Sequence, residues 1–488
     1  MRGTFALLVA LSGLAGVLLP SPAMAGEGPG VEVVQTTSNL SEHMSRLGNQ
    51  RFGRHRLHGL PVIRVNDGRR YQRIRGFGAA MTDTSAWLLE EHAASSVQAS
   101  TMESLFGNDG IRLAFLRVPI GASDFTADGR PYTYDDVPSG ATDYPLASFS
   151  IAHDNAYVLP ALQQALALQP GLRILATPWS PPAWMKSNGS LDNRAHHGTL
   201  LSSAGEAWAT YLVRFLQAYA AAGVPVDAIS PQNEPTNPTD YPGFELPPGQ
   251  EAGLLTRYLL PALDAAGLHP AIYGGELGWD WRGVGYARSL MGTGAFKSLT
   301  GIAWHCYAGV PQVMTAIRAR APRLDQILSE CSPGLVQFPT SEILIAALRN
   351  WASVVSLWNV ALDPGGGPVQ LPNTGCSNCT ALVTVAEDTG RVLPTVNYFQ
   401  LGQVSAFVQV GAQRVESSSF VHYRYRPAAN IVTPGLDDVA FVNPDGRRVL
   451  VAYANTSRRV RFAVSWRGRS FTYTLPGRAV VTFSWSTR

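Results

Sequence analysis

The 488-residue chain has 38 basic and 35 acidic residues, a net charge of +3, four cysteines, 45% hydrophobic residues and only 15% charged ones. A charged fraction so far below the roughly 25% of an average soluble protein excludes intrinsic disorder, and the length is ample for a large buried core. All but two of the basic residues (Lys186, Lys297) are Arg, scattered with no basic block, zinc-finger spacing or arginine-rich arm, so no nucleic-acid partner is expected.

Taken in chain order, Met1 to Ala25 offers Arg2, an apolar run from Phe5 to Leu19, Pro20 and then Ala23-Met24-Ala25. That order is the one a secretory signal peptide requires. The run falls short of the roughly 20 residues of a membrane span, and no later stretch supplies one, so the expectation is a secreted protein without a stable membrane anchor. Residues 26–73 contain two alternating segments, Leu60–Val65 and Tyr71–Ile74, that read as strands.

From residue 74 the pattern becomes strand, turn, helix. The expected strands are Ile74–Gly78, Leu113–Ile120, Arg173–Thr177, Ala228–Pro231, Ala271–Gly275, Gly301–His305, Gln326–Ser329 and Val354–Asn359. Helical periodicity lies between them, over Asp83–Leu105, Asn155–Gln169, Gly205–Ala222, Gln250–Ala266 and Thr340–Asn350. Eight such units describe an α/β fold, a (β/α)8 TIM barrel, with an open doubly wound sheet as the alternative. Past about residue 405 the period drops to two. Short strands at Arg448–Tyr453, Val460–Trp466, Ser470–Leu475 and Ala479–Trp485 predict an attached all-β sandwich. The expected division is a signal peptide (1–25), N-terminal strands of the sandwich (26–73), the barrel (74–400) and the C-terminal sandwich (401–488).

Export makes the cysteines readable as disulfides, because a lone C-x-x-C is a weak metal signal. In a barrel, chemistry collects at the C-terminal ends of the strands. Those ends carry Asp83, Asp124, Trp179 and Trp184, Asn233-Glu234-Pro235, Glu276, His305 and Tyr307, Glu330, and Trp358-Asn359. Carboxylates among aromatics suit sugar cleavage, where acids act on the glycosidic oxygen and anomeric carbon and ring faces stack on the sugar. Glu234 after strand 4 and Glu330 after strand 7 face each other across the mouth. A retaining glycosidase needs two carboxyl groups about 5–5.5 Å apart.

Several strings make the chain resemble glycoside hydrolase family 30, the family of glucosylceramidase. They are Gly76–Asp83 (GFGAAMTD), Leu116–Ile120 (LRVPI) with Asp124-Phe125, Ala176–Lys186 (ATPWSPPAWMK), Gln232–Pro235 (QNEP), Trp304–Tyr307 (WHCY), Ser329–Cys331 (SEC) and Trp358–Pro364 (WNVALDP). The resemblance runs from about residue 70 to the C-terminus. It implies a barrel with a β-sandwich, Glu234 as acid/base and Glu330 as nucleophile. It also implies that Asp83, Trp179, Asn233, His305 and Trp358 line the sugar pocket, with Tyr307 near the nucleophile. In such a barrel strands 6 and 7 are neighbours, which would bridge Cys306 to Cys331 and leave Cys376 to pair with Cys379.

The implied activity is a secreted retaining β-glucosidase of the glucosylceramidase kind, acting on a carbohydrate or glycolipid as a monomer, with no cofactor and no metal. An endo-β-1,6-glucanase of the same family and an inactive carbohydrate-binding relative are the alternatives, and xylan cleavage is disfavoured. Proton donation requires Glu234 to hold a raised pKa, which a second negative charge nearby would supply. Asp124 stays open, and Glu276 is assigned a structural role ahead of substrate contact. No H-E-x-x-H, G-x-S-x-G or phosphate loop is present, and His196-His197 reads as a polar loop.

Overall fold

The computed structural model describes residues 28–487 except 56, 194–196, 337, 371–375, 377, 419–422, 425–430 and 433–434. The expected signal peptide and His196 lie outside the described residues. Eight parallel strands close into a barrel in chain order: Gly76–Ala80, Phe115–Ile120, Arg173–Pro178, Ala228–Ile229, Ala271–Trp279, Gly301–Gly309, Asp325–Glu330 and Ala352–Leu357, the eighth pairing with the first. Every strand expected from the sequence is present. Strands 5 and 6 run four residues further toward the mouth than expected, and strand 4 shrinks to Ala228–Ile229 before its loop begins.

Two apolar layers hold the barrel. Phe115, Leu175, Ala228, Tyr273, Ala303, Ile327 and Val354, one from each of strands 2 to 8, fill its interior. Strand 1 contributes Gly78 at the matching place, where a Cβ would lie 1.6 Å from the Phe115 carbonyl oxygen; only glycine lets strands 1 and 2 approach so closely. Outside, the helices bury Trp208, Leu212, Phe215 and Tyr219 of Gly205–Ala221 against the strands. The expected helix over Asp83–Leu105 is two helices, Asp83–Trp87 and Ser95–Phe106, with a wide π-type turn over Leu88–His92 between them. No helix among the described residues is long and apolar enough to cross a membrane.

The second domain is a nine-stranded ladder assembled from both ends of the chain. Gly30–Thr36 pairs with Val480–Trp485, and Val62–Arg73 lies between Gln413–Glu416 and Val460–Trp466. Val33, Phe52, Ile63, Val415, Leu450, Phe462, Phe471 and Trp485 share its core. Helix Val396–Ser405 crosses the expected boundary at 400/401 and serves both domains. Gln403 Nε2 donates to Thr36 Oγ1 (2.8 Å), and Thr482 Oγ1 donates to the Gln403 carbonyl (2.6 Å).

A second seam joins barrel helix Thr340–Arg349 to strand Gly435–Val442. Arg349 Nη1 donates to the Asp438 carbonyl oxygen (2.8 Å) and Nη2 to that of Ser417 (3.1 Å). Acids are buried here too. Burial pushes Glu342, 6% exposed, up to about 7, Asp437 adding to the effect and Arg478 opposing it. Burial likewise lifts the fully buried Asp438 to about 7 against Arg349. Both bind protons more tightly folded than unfolded, so stability falls as pH climbs from the unfolded carboxyl value of about 4 to about 7, then levels off. For Glu342 the effect has a ceiling of about 3 kcal/mol. Glu342→Gln is expected to raise Tm by several degrees at pH 8 and to leave it unchanged at pH 4, which calorimetry at the two pH values would check.

Candidate active site

Barrel strand 2 reads Phe-Leu-Arg-Val-Pro-Ile and is buried throughout, Arg117 included. A guanidinium with no exposed surface needs compensation on every side. Nη1 donates to Glu330 Oε2 (2.5 Å), Nη2 donates to Asn233 Oδ1 (2.7 Å), and Glu276 Oε2 lies 3.3 Å from Nη2. Above it, the guanidinium carbon sits 4.7 Å from the Trp179 ring centre and 5.8 Å from that of Trp358, and the two indoles stack at 5.4 Å. Strands 2, 3, 4, 5, 7 and 8 are thereby tied at one buried cation.

His305, from strand 6, is the second hub. Its Nε2 is 2.8 Å from Glu276 Oε2, and its Nδ1 is 3.2 Å from Glu234 Oε1 and 3.7 Å from Glu330 Oε1. Three carboxylates overcome the cost of burial and push the imidazole up to about 10, Glu330 contributing most. Glu276 is fully buried and accepts from Ser329 Oγ (2.5 Å), Ser230 Oγ (2.7 Å) and Thr177 Oγ1 (3.3 Å). Arg117 and His305, against burial, bring it down to about 2. It therefore stays ionised and anchors both cations from below.

Glu234 lies just past strand 4 in a left-handed conformation (φ 45°), an uncommon one for a residue with a Cβ. Its Oε2 accepts from Asn237 Nδ2 (2.7 Å) and Tyr241 O–H (3.1 Å). Glu330 ends strand 7 and accepts from Tyr307 O–H (2.9 Å). One oxygen each of Glu234 and Glu330 and one nitrogen of His305 lie within 4.8 Å of one another. That spacing could hold a metal ion, but an imidazolium with both nitrogens directed at carboxylates presents no lone pair to one.

The expected pKa order of the two glutamates is reversed. Against burial, the His305 imidazolium, Asn237 and Tyr241 hold Glu234 below its ordinary value, whereas burial pushes Glu330 up despite His305 and Arg117. The sequence argument counted only the second negative charge and could not see the donors around Glu234. Both carboxyls draw on the same imidazolium and titrate as a pair.

Asn233, His305, Tyr307, Trp179 and Trp358 are brought together around these glutamates, and Asp83 is not. Its carboxylate is saturated by Ala127 N–H (2.8 Å), Tyr132 O–H (3.2 Å), Tyr157 O–H (3.0 Å) and His153 Nε2 (2.7 Å). Through these donors it pins the loop after strand 2. The acid that does feel that pair is Asp124. Burial and the charge of Glu330 push it well above its ordinary value. Arg117, Asn237 and Tyr241 were not singled out from the sequence, although a lone arginine within an apolar strand is itself an anomaly. Cys306–Cys331 and Cys376–Cys379 are disulfide-bonded. The first joins the residues next to His305 and Glu330, and the second closes an apolar patch with Phe125, Trp179 and Trp358.

Comparison with known proteins gives the same architecture. Residues 74–243 match the glycosyl hydrolase family 30 TIM-barrel domain and residues 411–483 the family 30 beta sandwich domain. The endo-1,6-beta-D-glucanase neg1 of Aspergillus fumigatus is 32% identical over 84% of this chain and 85% of its own. The lysosomal acid glucosylceramidase of Mus musculus is 29% identical over 87% and 83%. The solved structure of SrfJ from Salmonella typhimurium superposes with a TM-score of 0.84 over 94% of this chain and all of that one, at 24% identity.

Tyr241→Phe removes a donor that favours ionised Glu234, so the limb of the pH–rate profile governed by Glu234 is expected to move to higher pH. Assaying the variant on an aryl β-glucoside checks this, an unmoved profile counting against the assignment.

Proposed function

The chain belongs to glycosyl hydrolase family 30, and from that premise we propose that it is an exported endo-β-1,6-glucanase working by double displacement. The observation that carries the substrate choice is the cleft beside Glu234. It has a volume of about 140 Å³ and is lined by Thr236, Asn237, Leu277, Asp280, Arg282, His305 and Tyr307 among others. A leaving group departing past Glu234 meets hydroxyl, amide, carboxylate and guanidinium groups. Those suit the hydroxyls of a sugar far better than the hydrocarbon of a ceramide. The greater similarity to an endo-1,6-beta-D-glucanase than to a glucosylceramidase supports the same choice. It reverses the order of preference drawn from the motifs. The two disulfides support export, since such bonds persist in oxidising compartments.

In this mechanism Glu330 attacks the anomeric carbon while Glu234 gives its proton to the departing O6. Water then opens the glycosyl-enzyme ester, with Glu234 as base. One oxygen of each carboxylate lying within 4.8 Å of the other supports retention, because inversion needs the groups about 6.5–9.5 Å apart to admit a water. Arg117 and Tyr307 hold Glu330 ready, and Asn233, with its oxygen fixed by Arg117, keeps its amide N–H groups for a sugar hydroxyl.

Proton NMR is expected to show the β-anomer released first, with early α-anomer overturning retention. Glu330→Ala is expected to lose at least about 10³-fold in kcat and to recover partly in azide, forming the α-glucosyl azide. On a panel of β-1,6-glucan, glucosylceramide, xylan and aryl β-glucosides, β-1,6-glucan is expected to give the highest kcat/KM; preferential hydrolysis of glucosylceramide would overturn the substrate assignment.

A further inference from the structure

The leaving-group cleft does not end at the first sugar. From Glu234 and His305 it runs past Gly278 to Asp280 and Arg282. Between those two stands Trp281, 73% exposed and the most exposed large apolar side chain among the described residues. An indole left so far in water at the lip of a polar cleft is poorly placed for stability and well placed to meet a ring.

Its position is fixed. Asp280 Oδ1 accepts from the backbone N–H groups of Arg282 (3.1 Å) and Gly283 (3.0 Å), capping helix Trp281–Met291. Gly283 sits against the end of barrel strand 5, where a Cβ would come 2.0 Å from the Gly278 carbonyl oxygen. The first turn of this helix is thus locked to the strand that carries Glu276. The Arg282 guanidinium carbon lies over one face of the indole, 5.5 Å from the ring centre, which leaves the other face for a sugar. Arg282 is exposed, and its guanidinium makes no hydrogen bond or ion pair among the described residues.

We propose that Trp281 and Arg282 form a binding subsite for the second sugar of the leaving group, one pyranose stacking on the indole while the guanidinium donates to its hydroxyls. The proposal rests on the reading of the chain as a β-1,6-glucanase, and linkage chemistry gives it a purpose. A 6-linked sugar leaves through its primary oxygen, so an extra rotatable bond separates the first leaving-group ring from the reacting atoms. Gripping the next ring on a rigid platform removes part of that freedom before the chemical step.

Trp281→Ala tests this, because an exposed side chain at a capped helix start can be removed without disturbing the core. On reducing-end-labelled β-1,6-gluco-oligosaccharides, kcat/KM for cuts that leave two or more sugars is expected to fall about tenfold. Cuts that leave one sugar, and aryl β-glucoside hydrolysis, should change less than about twofold. A uniform fall on all substrates, or none on the long ones, overturns the platform. A second arm separates this outcome from failure of the substrate reading. With an aryl β-glucoside as donor, gentiobiose is expected to accept the glucosyl group better than glucose does, and Trp281→Ala should erase that advantage. A wild-type enzyme that cuts no β-1,6-glucan yet shows Trp281-dependent acceptor use overturns the linkage assignment and keeps the platform. Acceptor use independent of Trp281 overturns the platform.

Discussion

The buried guanidinium of Arg117 is the constraint around which the barrel mouth is organised. It has no exposed surface, so water cannot stabilise it, and its partners come from five of the other seven strands and their loops. Glu330, Glu276 and Asn233 meet its edge, while Trp179 and Trp358 lie over its face. Removing either carboxylate leaves part of a buried charge uncompensated in a medium where that is costly. The glycosidase geometry is therefore part of the same arrangement that lets the barrel close over a cation.

Charge counting in this cluster yields the proton that catalysis needs. Two cations, Arg117 and the His305 imidazolium, face three carboxyls, Glu234, Glu276 and Glu330. Full ionisation of these five groups leaves one excess negative charge inside a largely dry site, which favours retention of one proton. Glu276 is too acidic to hold it, at about 2, so the proton belongs to the Glu234–Glu330 pair. Besides His305, the donors that lower Glu234 are Tyr241 and Asn237, the latter on the leaving-group side. A departing oxygen competes for that same face of the carboxyl. Substrate binding itself can then shift the proton to Glu234, which reconciles the free-site order with the proposed mechanism.

The barrel was legible because its strands are bounded apolar runs with a steady spacing, and the sandwich because its period is two. Glu234 and Glu330 were legible because each stands at or just past the C-terminal end of its own strand. What periodicity could not report is side-chain direction inside the mouth. Asp83 and Asp124 both follow early strands, yet backbone and hydroxyl donors saturate the first while the second faces the glutamates. Arg117 was hidden within a quoted string, since a strand pattern does not say what a central arginine is paired with. The helix Val396–Ser405 blurred the domain boundary because one face packs on each domain, a fact carried by tertiary contacts.

The two halves of the mouth differ in how much they constrain a substrate, and this is why fold membership fixes the bond type before it fixes the polymer. On one side stacked indoles, the Cys376–Cys379 clip and the Arg117 network form a rigid wall with little freedom to vary. On the other, Thr236, Asp280, Trp281 and Arg282 sit on loops and a helix start beyond Glu234, where a side chain can change without unbalancing a buried charge. Changes there are cheap in stability and large in their effect on the leaving group. Selection for a new glycan would act on this outer half first, leaving the cation and its carboxylates untouched. The composition points the same way: a chain with so small a net charge carries no broad field for steering a charged ligand, which leaves discrimination to local groups at the lip.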